Sequence, residues 1–406
     1  MHKGKKYRII PNTLLQSCKM YYDYSMKLEE AFNTIISFIP GAKPEEVPLI
    51  AAAGRVLAED IVAQHDYPEA DMSRMDGYAV GKGSEGVCIV VQELSAADSY
   101  DKPLKKGECI RVATGAKVPT NTDFVVPFEN AHRNGENVTY QQGEERKRHI
   151  TQAGSDIKKG DVLARKGMRV DIRLMEVFAS MRFATLPCAK APLIGVISTG
   201  SELVEDFTQK GTVNSNYYHM AGLLRIFDVD MKYYGVIPDD EGLLSKIMKQ
   251  AALECDMIVT FGGTGYSRYD LLKLTVLEAG GEIPVEGLRV SPGKTFRFGL
   301  LGGKPLFMFP GSPAGAIACS EVFLVQAIRK WHGLKTGNIK AQINFPVKKR
   351  KGFAKLVRTW LTINDEGMAV ACQNGVGFPC VAAIAEDTEE VQRGDLVDVW
   401  LASKML

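Results

Sequence analysis

Between residues 193 and 331, short apolar runs alternate with helical patterns, and three of the runs open directly onto glycine-rich turns. These turns are Ile197-Ser198-Thr199-Gly200-Ser201-Glu202, then Phe261-Gly262-Gly263-Thr264-Gly265-Tyr266-Ser267-Arg268-Tyr269-Asp270, then Phe309-Pro310-Gly311-Ser312-Pro313-Ala314-Gly315. An apolar run without polar alternation is a strand covered on both faces. Alternation of such strands with helices requires an open, mostly parallel sheet with helices on both sides. In that architecture the turns after successive strands gather at the carboxyl edge, where ligands bind. Glycine lets the backbone approach a ligand closely, and a following helix N-terminus favours negative charge. A glycine pair alone can be a plain turn; three together favour a phosphate- or pterin-type ligand.

The periodicity predicts strands at Leu193 to Ser198, Met231 to Val236 and Met257 to Phe261, and a hairpin in which Thr295 to Phe298 and Pro305 to Phe309 flank Gly302-Gly303. It predicts helices at Tyr217 to Phe227, Asp240 to Leu253, Asp270 to Ala279 and Pro313 to Trp331, the last with proline in its first turn. An amphipathic helix runs from about Lys27 to Phe38, and a shorter one is expected around Pro48 to Ala53. From Arg55 to about Ala189 the pattern is short strands, prolines and turns with little helical periodicity, so this half reads as β-rich. Strands are expected near Gly86 to Val91, Cys109 to Ala113 and Phe124 to Pro127. From about Lys340 onward short β segments return, clearest at Lys355 to Ile363 and Asp395 to Leu401.

A chain of 406 residues exceeds one hydrophobic core, so two to four domains are expected. The net charge of +2 argues neither for nor against a polyanionic partner, and no basic stripe interleaved with aromatics points to nucleic acid. The run Arg146-Lys147-Arg148-His149 reads as a solvated loop. The 8 cysteines form no C-x-x-C, which reads as reduced thiols in a cytoplasmic protein. No apolar stretch has transmembrane length. Basic residues followed by Leu15-Gln16-Ser17-Cys18 faintly resemble a lipoprotein signal, but Pro11-Asn12-Thr13 breaks the apolar segment, so residues 1–25 read as an extension.

Glu202, Asp239, Asp240 and Asp270 fall at the same sheet edge as the glycine turns. Each can serve as a helix cap or first-turn acid; equally, together they can hold a hard cation such as Mg²⁺ against a phosphate. The β-rich half adds Met75-Asp76-Gly77-Tyr78-Ala79-Val80, Thr114-Gly115-Ala116-Lys117-Val118-Pro119 and Gly154-Ser155-Asp156-Ile157, which by composition are turns.

Taken in order, these segments resemble the MoeA family, the molybdopterin molybdenumtransferases, which include the E domain of gephyrin. Met75 to Val80 matches the family's M-D-G-Y-A run, Thr114-Gly115-Ala116 with Pro119 matches T-G-A-x-x-P, and Gly154 to Ile157 matches G-x-D-I. Ser198 to Leu203 matches S-T-G-D-E-L, Asn214-Ser215-Asn216 covers the next S-N, and Pro238-Asp239-Asp240 matches an acidic pair. Ser291-Pro292-Gly293-Lys294 matches K-P-G-K, and Pro310 to Pro313 matches P-G-N-P. The resemblance spans about Met26 to Leu406.

It implies a multidomain α/β plus β protein: a MoaB/MogA-like doubly wound α/β domain (191–335), an inserted β-rich domain (55–145), an elongated α+β domain (26–54 with 146–190) and a C-terminal β barrel (336–406). It implies a cytoplasmic homodimer with active sites between subunits, working with a MogA/MoaB-like protein. The implied reaction inserts molybdenum from molybdate into adenylylated molybdopterin with Mg²⁺. Catalytic roles then fall on Asp76, Thr114, Asp156, Glu202, Asp239 and Asp270. Cofactor binding falls on Thr199, Gly200, Gly262, Gly263, Lys294, Pro310, Gly311, Pro313 and Arg358, and metal binding on Glu202, Asp239 and Asp270.

The chain departs from the family where cations and hydroxyls are expected. Gly265, Ser267 and Arg268 replace the serine, glycine and acid of the second glycine turn. Ser291, Gly287 and Thr151 stand where the family has lysine, lysine and arginine. Thr295 replaces a proline, and a serine pair that helps bind molybdate falls near Pro379 and Cys380. Molybdate and an adenylylated ligand are both anionic and need offsetting cations. Two expectations follow: a divergent molybdenum insertase in which Arg268 or Arg289 substitutes, or a non-catalytic paralogue binding molybdopterin, a nucleotide or a protein. A related enzyme on another phosphorylated heterocycle is a third. A dehydrogenase is disfavoured, because no G-x-G-x-x-G opens the first helix.

Overall fold

The computed structural model describes residues 26–94, 98, 100–141, 143, 148–263 and 271–403. The extension 1–25, Arg146 and Lys147, and the loop 264–270 with Gly265, Ser267, Arg268 and Asp270 lie outside them. The chain divides into two compact units, one of residues 44–188, the other of the residues before 44 with 189–406. Among the described residues no helix is long and apolar enough to cross a membrane.

The larger unit is built on a six-stranded sheet. Its strands are β1 (Leu193–Thr199), β2 (Asp230–Ile237), β3 (Met257–Phe261), β4 (Glu282–Glu286), β5 (Arg297–Leu301) and β6 (Lys304–Phe309). The spatial order is β2-β1-β3-β6-β5-β4. The pairs β1–β2, β1–β3 and β3–β6 are parallel, with Ile194 opposite Met257 and Ile258 opposite Leu306. The expected hairpin is present: β5 and β6 run antiparallel around Gly302 and Gly303, both in the left-handed region at φ +58° and +76°.

Both faces of the sheet are covered, which is why its strands read as unbroken apolar runs. Successive side chains point to opposite faces. Val196, Val259 and Phe307 face helices Ser215–Ile226 and Pro313–Cys319 in one cluster that also takes in Ala31, Phe32 and Ile35 of helix Leu28–Ser37. Ile197, Ile258 and Leu306 face Leu244 and Met248 of helix Glu241–Glu254 and Leu272 and Val276 of helix Leu271–Glu278 in the other.

The expected unbroken helix from Pro313 to Trp331 is instead two α segments, Pro313–Cys319 and Val325–Trp331, joined by one π turn over Ser320–Leu324. Every residue of that π turn is buried, Glu321 included.

The C-terminal part closes into a barrel of five strands. Ala354–Ile363 pairs with Ala369–Cys372 on one side and Phe378–Ile384 on the other, and Ile339–Ile343 and Leu396–Leu401 complete the ring. Ile343, Leu361, Ala382, Val397 and Val399 fill it. The outer residues Leu356, Val381 and Trp400 join the same apolar cluster as the sheet, and the Phe32 ring meets Trp400 edge-on at 4.7 Å.

The unit of residues 44–188 holds a second six-stranded sheet, in the order Thr122–Pro127, Gly77–Gly81, Glu108–Val112, Val87–Leu94, Asn137–Tyr140, Ala131–Asn134. Small ladders such as Ile61–Val62 with Val162–Ala164 accompany it. Two local expectations change here. Pro48 to Ala53 holds only a single 3-10 turn, Leu49–Ala51. Ile172–Ser180, in a stretch expected to lack helices, is an α-helix whose N-cap Asp171 accepts from the amides of Arg173 and Leu174. That helix buries Phe178, with Leu174 and Met175 half-buried beside it and Ile172 exposed, so its apolar stripe is too short to stand out in the sequence.

The aromatic core beside the π turn carries a stability prediction. Phe323 is fully buried and stacks on Phe296 at 4.7 Å. Phe323→Ala is expected to cost about 3–5 kcal/mol, measured as an earlier urea transition by tryptophan fluorescence.

Candidate active site

The carboxyl ends of β1, β3 and β6 approach each other backbone to backbone. Gly262 has φ +87°, and a Cβ there would lie 2.5 Å from the Thr199 carbonyl oxygen and 2.8 Å from its Oγ1. A Cβ on Gly311 would come within 3.4 Å of the Gly262 Cα. Thr199 Oγ1 donates to the Phe261 carbonyl at 3.0 Å, and the Gly262 amide donates to the Phe309 carbonyl at 3.2 Å. At Gly262 only glycine fits such an approach, which explains its place in the motif read in the sequence.

These turns floor a cleft of about 870 Å³. Of the residues expected here, Thr199, Gly200, Glu202, Asp239, Gly262, Gly263, Pro310, Gly311 and Pro313 all line it. The glycine-turn expectation is therefore met by three segments far apart in the chain. Glu202 folds back over its own turn: a Cβ on Gly200, which has φ +139°, would lie 2.7 Å from Glu202 Oε2. The Asp239 amide donates to Ser201 Oγ at 3.3 Å, which ties the two acidic turns together. Asp240 is accounted for as a cap, accepting from the Leu243 amide at 2.7 Å.

The start of helix Ser215–Ile226 forms another wall. Asn214 caps it and is held by Ser198 Oγ and the Tyr233 hydroxyl, each accepting from Asn214 Nδ2 at 2.9 Å. Asn216 donates through Nδ2 to the Gly311 carbonyl at 2.9 Å. Its Oδ1 is buried without a partner, and the residue is 8 % exposed. An unpaired buried acceptor in a cleft wall is costly unless a ligand donor meets it. Asn216, Glu241, Thr295 and Ser312 line the cleft without having been singled out as site residues; Asn216 was visible as the end of the S-N motif.

Two expected cofactor residues do not reach this cleft. Lys294 holds its ammonium over the Phe353 ring at 4.3 Å. Arg358 lines a second cavity of about 530 Å³ with His219, Glu321, Thr359, Pro379 and Cys380, so the arginine and the positions of the expected serine pair do meet. Among the described residues the main cleft is lined by no lysine or arginine, and no group of three or more His, Cys, Asp or Glu is gathered for a metal ion. Asp270, the third expected metal ligand, lies outside the described residues.

In the other unit, Asp76 accepts from the Thr114 amide at 2.6 Å and from Thr114 Oγ1 at 2.9 Å. These bonds hold its carboxyl below the usual range. Asp156 instead accepts from Ser155 Oγ at 3.0 Å. The seven described cysteines are free thiols.

Because its Cβ would meet Thr199, Gly262→Ala is expected to lose roughly 1–3 kcal/mol from left-handed strain alone, seen as a lower Tm, and to close the cleft to ligand in titration calorimetry. Asp76 has a depressed folded pKa, so its contribution to stability is full above the unfolded value and is lost as pH falls through the folded one. Asp76→Ala should therefore flatten the acid limb of a pH–stability profile relative to wild type, with Glu93, Asp171 and Asp206 still contributing to it, while Asp76→Asn keeps the single bond from the Thr114 amide.

Two family models match in the order the fold displays them. The MoeA N-terminal region (domains I and II) matches residues 26–181, and a probable molybdopterin binding domain matches residues 195–330. The chain is 29 % identical over 399 residues to a molybdopterin molybdenumtransferase of Staphylococcus epidermidis, covering 93 % of this chain and 95 % of that one. It is 27 % identical over 398 residues to one of Haemophilus influenzae, covering 92 % and 98 %. A solved structure of the molybdopterin biosynthesis MoeA protein from Pyrococcus horikosii superposes with a TM-score of 0.79 at 26 % identity, covering 93 % of this chain and 99 % of that one. With the motifs, the domain order and the fold in agreement over nine-tenths of its length, this chain belongs to the MoeA family.

Proposed function

We propose that the protein acts in molybdenum cofactor biosynthesis as a molybdopterin molybdenumtransferase, inserting molybdenum from molybdate into adenylylated molybdopterin. The observation that carries this reading is the cleft itself. Three glycine turns, the carboxylates of Glu202, Asp239 and Glu241 and an unpaired amide oxygen converge there, inside the segment that matches a molybdopterin-binding domain. Transferases related along nearly the whole chain favour this reading over a non-catalytic paralogue.

The residues divide the work by chemistry. The turn at Gly311 and the N-terminus of helix Ser215–Ile226 suit the phosphate groups, the Gly262 amide being held by the Phe309 carbonyl. Asn216 Oδ1 accepts a hydrogen bond from a ring or amino N–H of the pterin. Glu202 and Asp239 offer the hard oxygen donors that Mg²⁺ takes, with Asp270 as a third. When bound, that ion offsets the charge between phosphate and carboxylates. The cavity around Arg358 is the molybdate end, where a guanidinium can hold an oxyanion with two hydrogen bonds.

The same proposal takes the protein to be a cytoplasmic homodimer in which Asp76, Thr114 and Asp156 of one copy serve the cleft of the other. It keeps the kinship with gephyrin, a MogA/MoaB-like protein as supplier of the adenylylated ligand, and the domain map set out from the sequence.

Complementation tests the function. The gene should restore molybdoenzyme activity to an insertase-deficient strain; well-folded protein that restores none would refute it. In vitro, Glu202→Gln and Asp239→Asn should each lower turnover at least about tenfold, the effect of losing a charge-assisted contact of about 1.5–3 kcal/mol. Raising Mg²⁺ should recover part of that loss.

A further inference from the structure

The long helix that begins at the cleft breaks its α pattern once, in the π turn Ser320–Leu324. Such turns are frequent at functional sites. This one places Glu321, only 4 % exposed, on the wall of the second cavity. Its Oε1 lies 3.4 Å from Arg358 Nε, while the Arg358 side chain is 55 % exposed. The pair is therefore lopsided, a buried carboxylate facing an arginine that is open to a cavity.

We propose that Glu321 is the internal counter-anion of Arg358, and that it gives up the guanidinium by taking up one proton when an oxyanion enters the cavity. This rests on the reading of that cavity as the molybdate end. A dianion at Arg358 sets a second negative charge beside Glu321. A like charge beside a buried carboxylate disfavours its ionised form, and Glu321 is the buried partner, so it is the group that takes up the proton. The proton comes from solvent and bonds to the Glu321 carboxylate; no other bond changes.

The groups facing Glu321 leave it alone in this role. Arg358 approaches from strand Ala354–Ile363, His219 from helix Ser215–Ile226 and Cys380 from strand Phe378–Ile384. His219 meets Ser320 Oγ through Nε2 at 3.0 Å, and burial with the nearby Arg358 lowers its pKa to about 4, so it is neutral at physiological pH. Burial pushes the Cys380 thiol up to about 11. Burial raises Glu321 to about 7, against the pull of Arg358. Of these four groups, Glu321 alone changes charge near neutrality.

The test is calorimetric titration of the full chain with molybdate, repeated with tungstate, from pH 6.5 to 8.5 in buffers of different ionisation heat. Wild-type protein should bind up to about tenfold more weakly per pH unit above 7, with proton uptake approaching one at pH 8.5. Glu321→Gln should bind about tenfold or more tightly at pH 8.5, with a flat pH profile and no proton uptake. Arg358→Met should abolish binding in both backgrounds. Wild-type binding without proton uptake, a reading that needs no variant, overturns the counter-anion role while the oxyanion cavity stands. So does an identical pH slope in Glu321→Gln. Absence of binding to either folded protein at every pH overturns the molybdate-end reading beneath it, and the inference with it.

Discussion

The close approach of Thr199, Gly262 and Gly311 sets the geometry on which the rest of the larger unit depends. Three parallel strands end at one level, and their turns touch through backbone rather than side chains. That contact requires the strands to be in register, and register in turn requires the two apolar faces that Val196 and Ile197 begin. Helices then have no choice but to cover both faces. The acidic turns at Glu202 and Asp239 are carried to the cleft by β1 and its neighbour β2, so its chemistry follows from the sheet.

Much of this was legible in the sequence because the causes are local. Apolar runs ending in glycine mark strands and their carboxyl ends, and Asp240 and Asn214 announce helix starts by their capping chemistry. Motif order was enough to place the family. Helix Ile172–Ser180 was not legible, since one buried and two half-buried residues on a short helix make no period that stands out from turns. The π turn was not legible either: residues 313–331 are apolar enough to continue an α-helix anywhere. Yet Glu321, an acid amid Ala318, Cys319, Val322 and Phe323, was a signal in plain view, because a buried carboxylate needs a partner.

The site residues separated along the same line. Those borne on turns after strands lie together along one cleft, as the fold dictates where such turns go. Lys294 and Arg358, named from motif position, lie away from that cleft, and Arg358 lines the second cavity. Long side chains choose their partners in three dimensions, and these chose the Phe353 ring and Glu321. Replacement of the family's serine pair by Pro379 and Cys380 has a physical sequel as well. The wall of the Arg358 cavity gains Pro379 and a thiol that bonds with Thr359, and its charge is set by two side chains.

The broken helix carries one more implication. Its first residues, Ser312 and Pro313, line the main cleft, and Glu321 lines the second cavity eight residues further along. At about 1.5 Å per residue that is roughly 12 Å of continuous backbone. One continuous helical stretch thus sets the separation between the two openings, and any substrate spanning them must match its length.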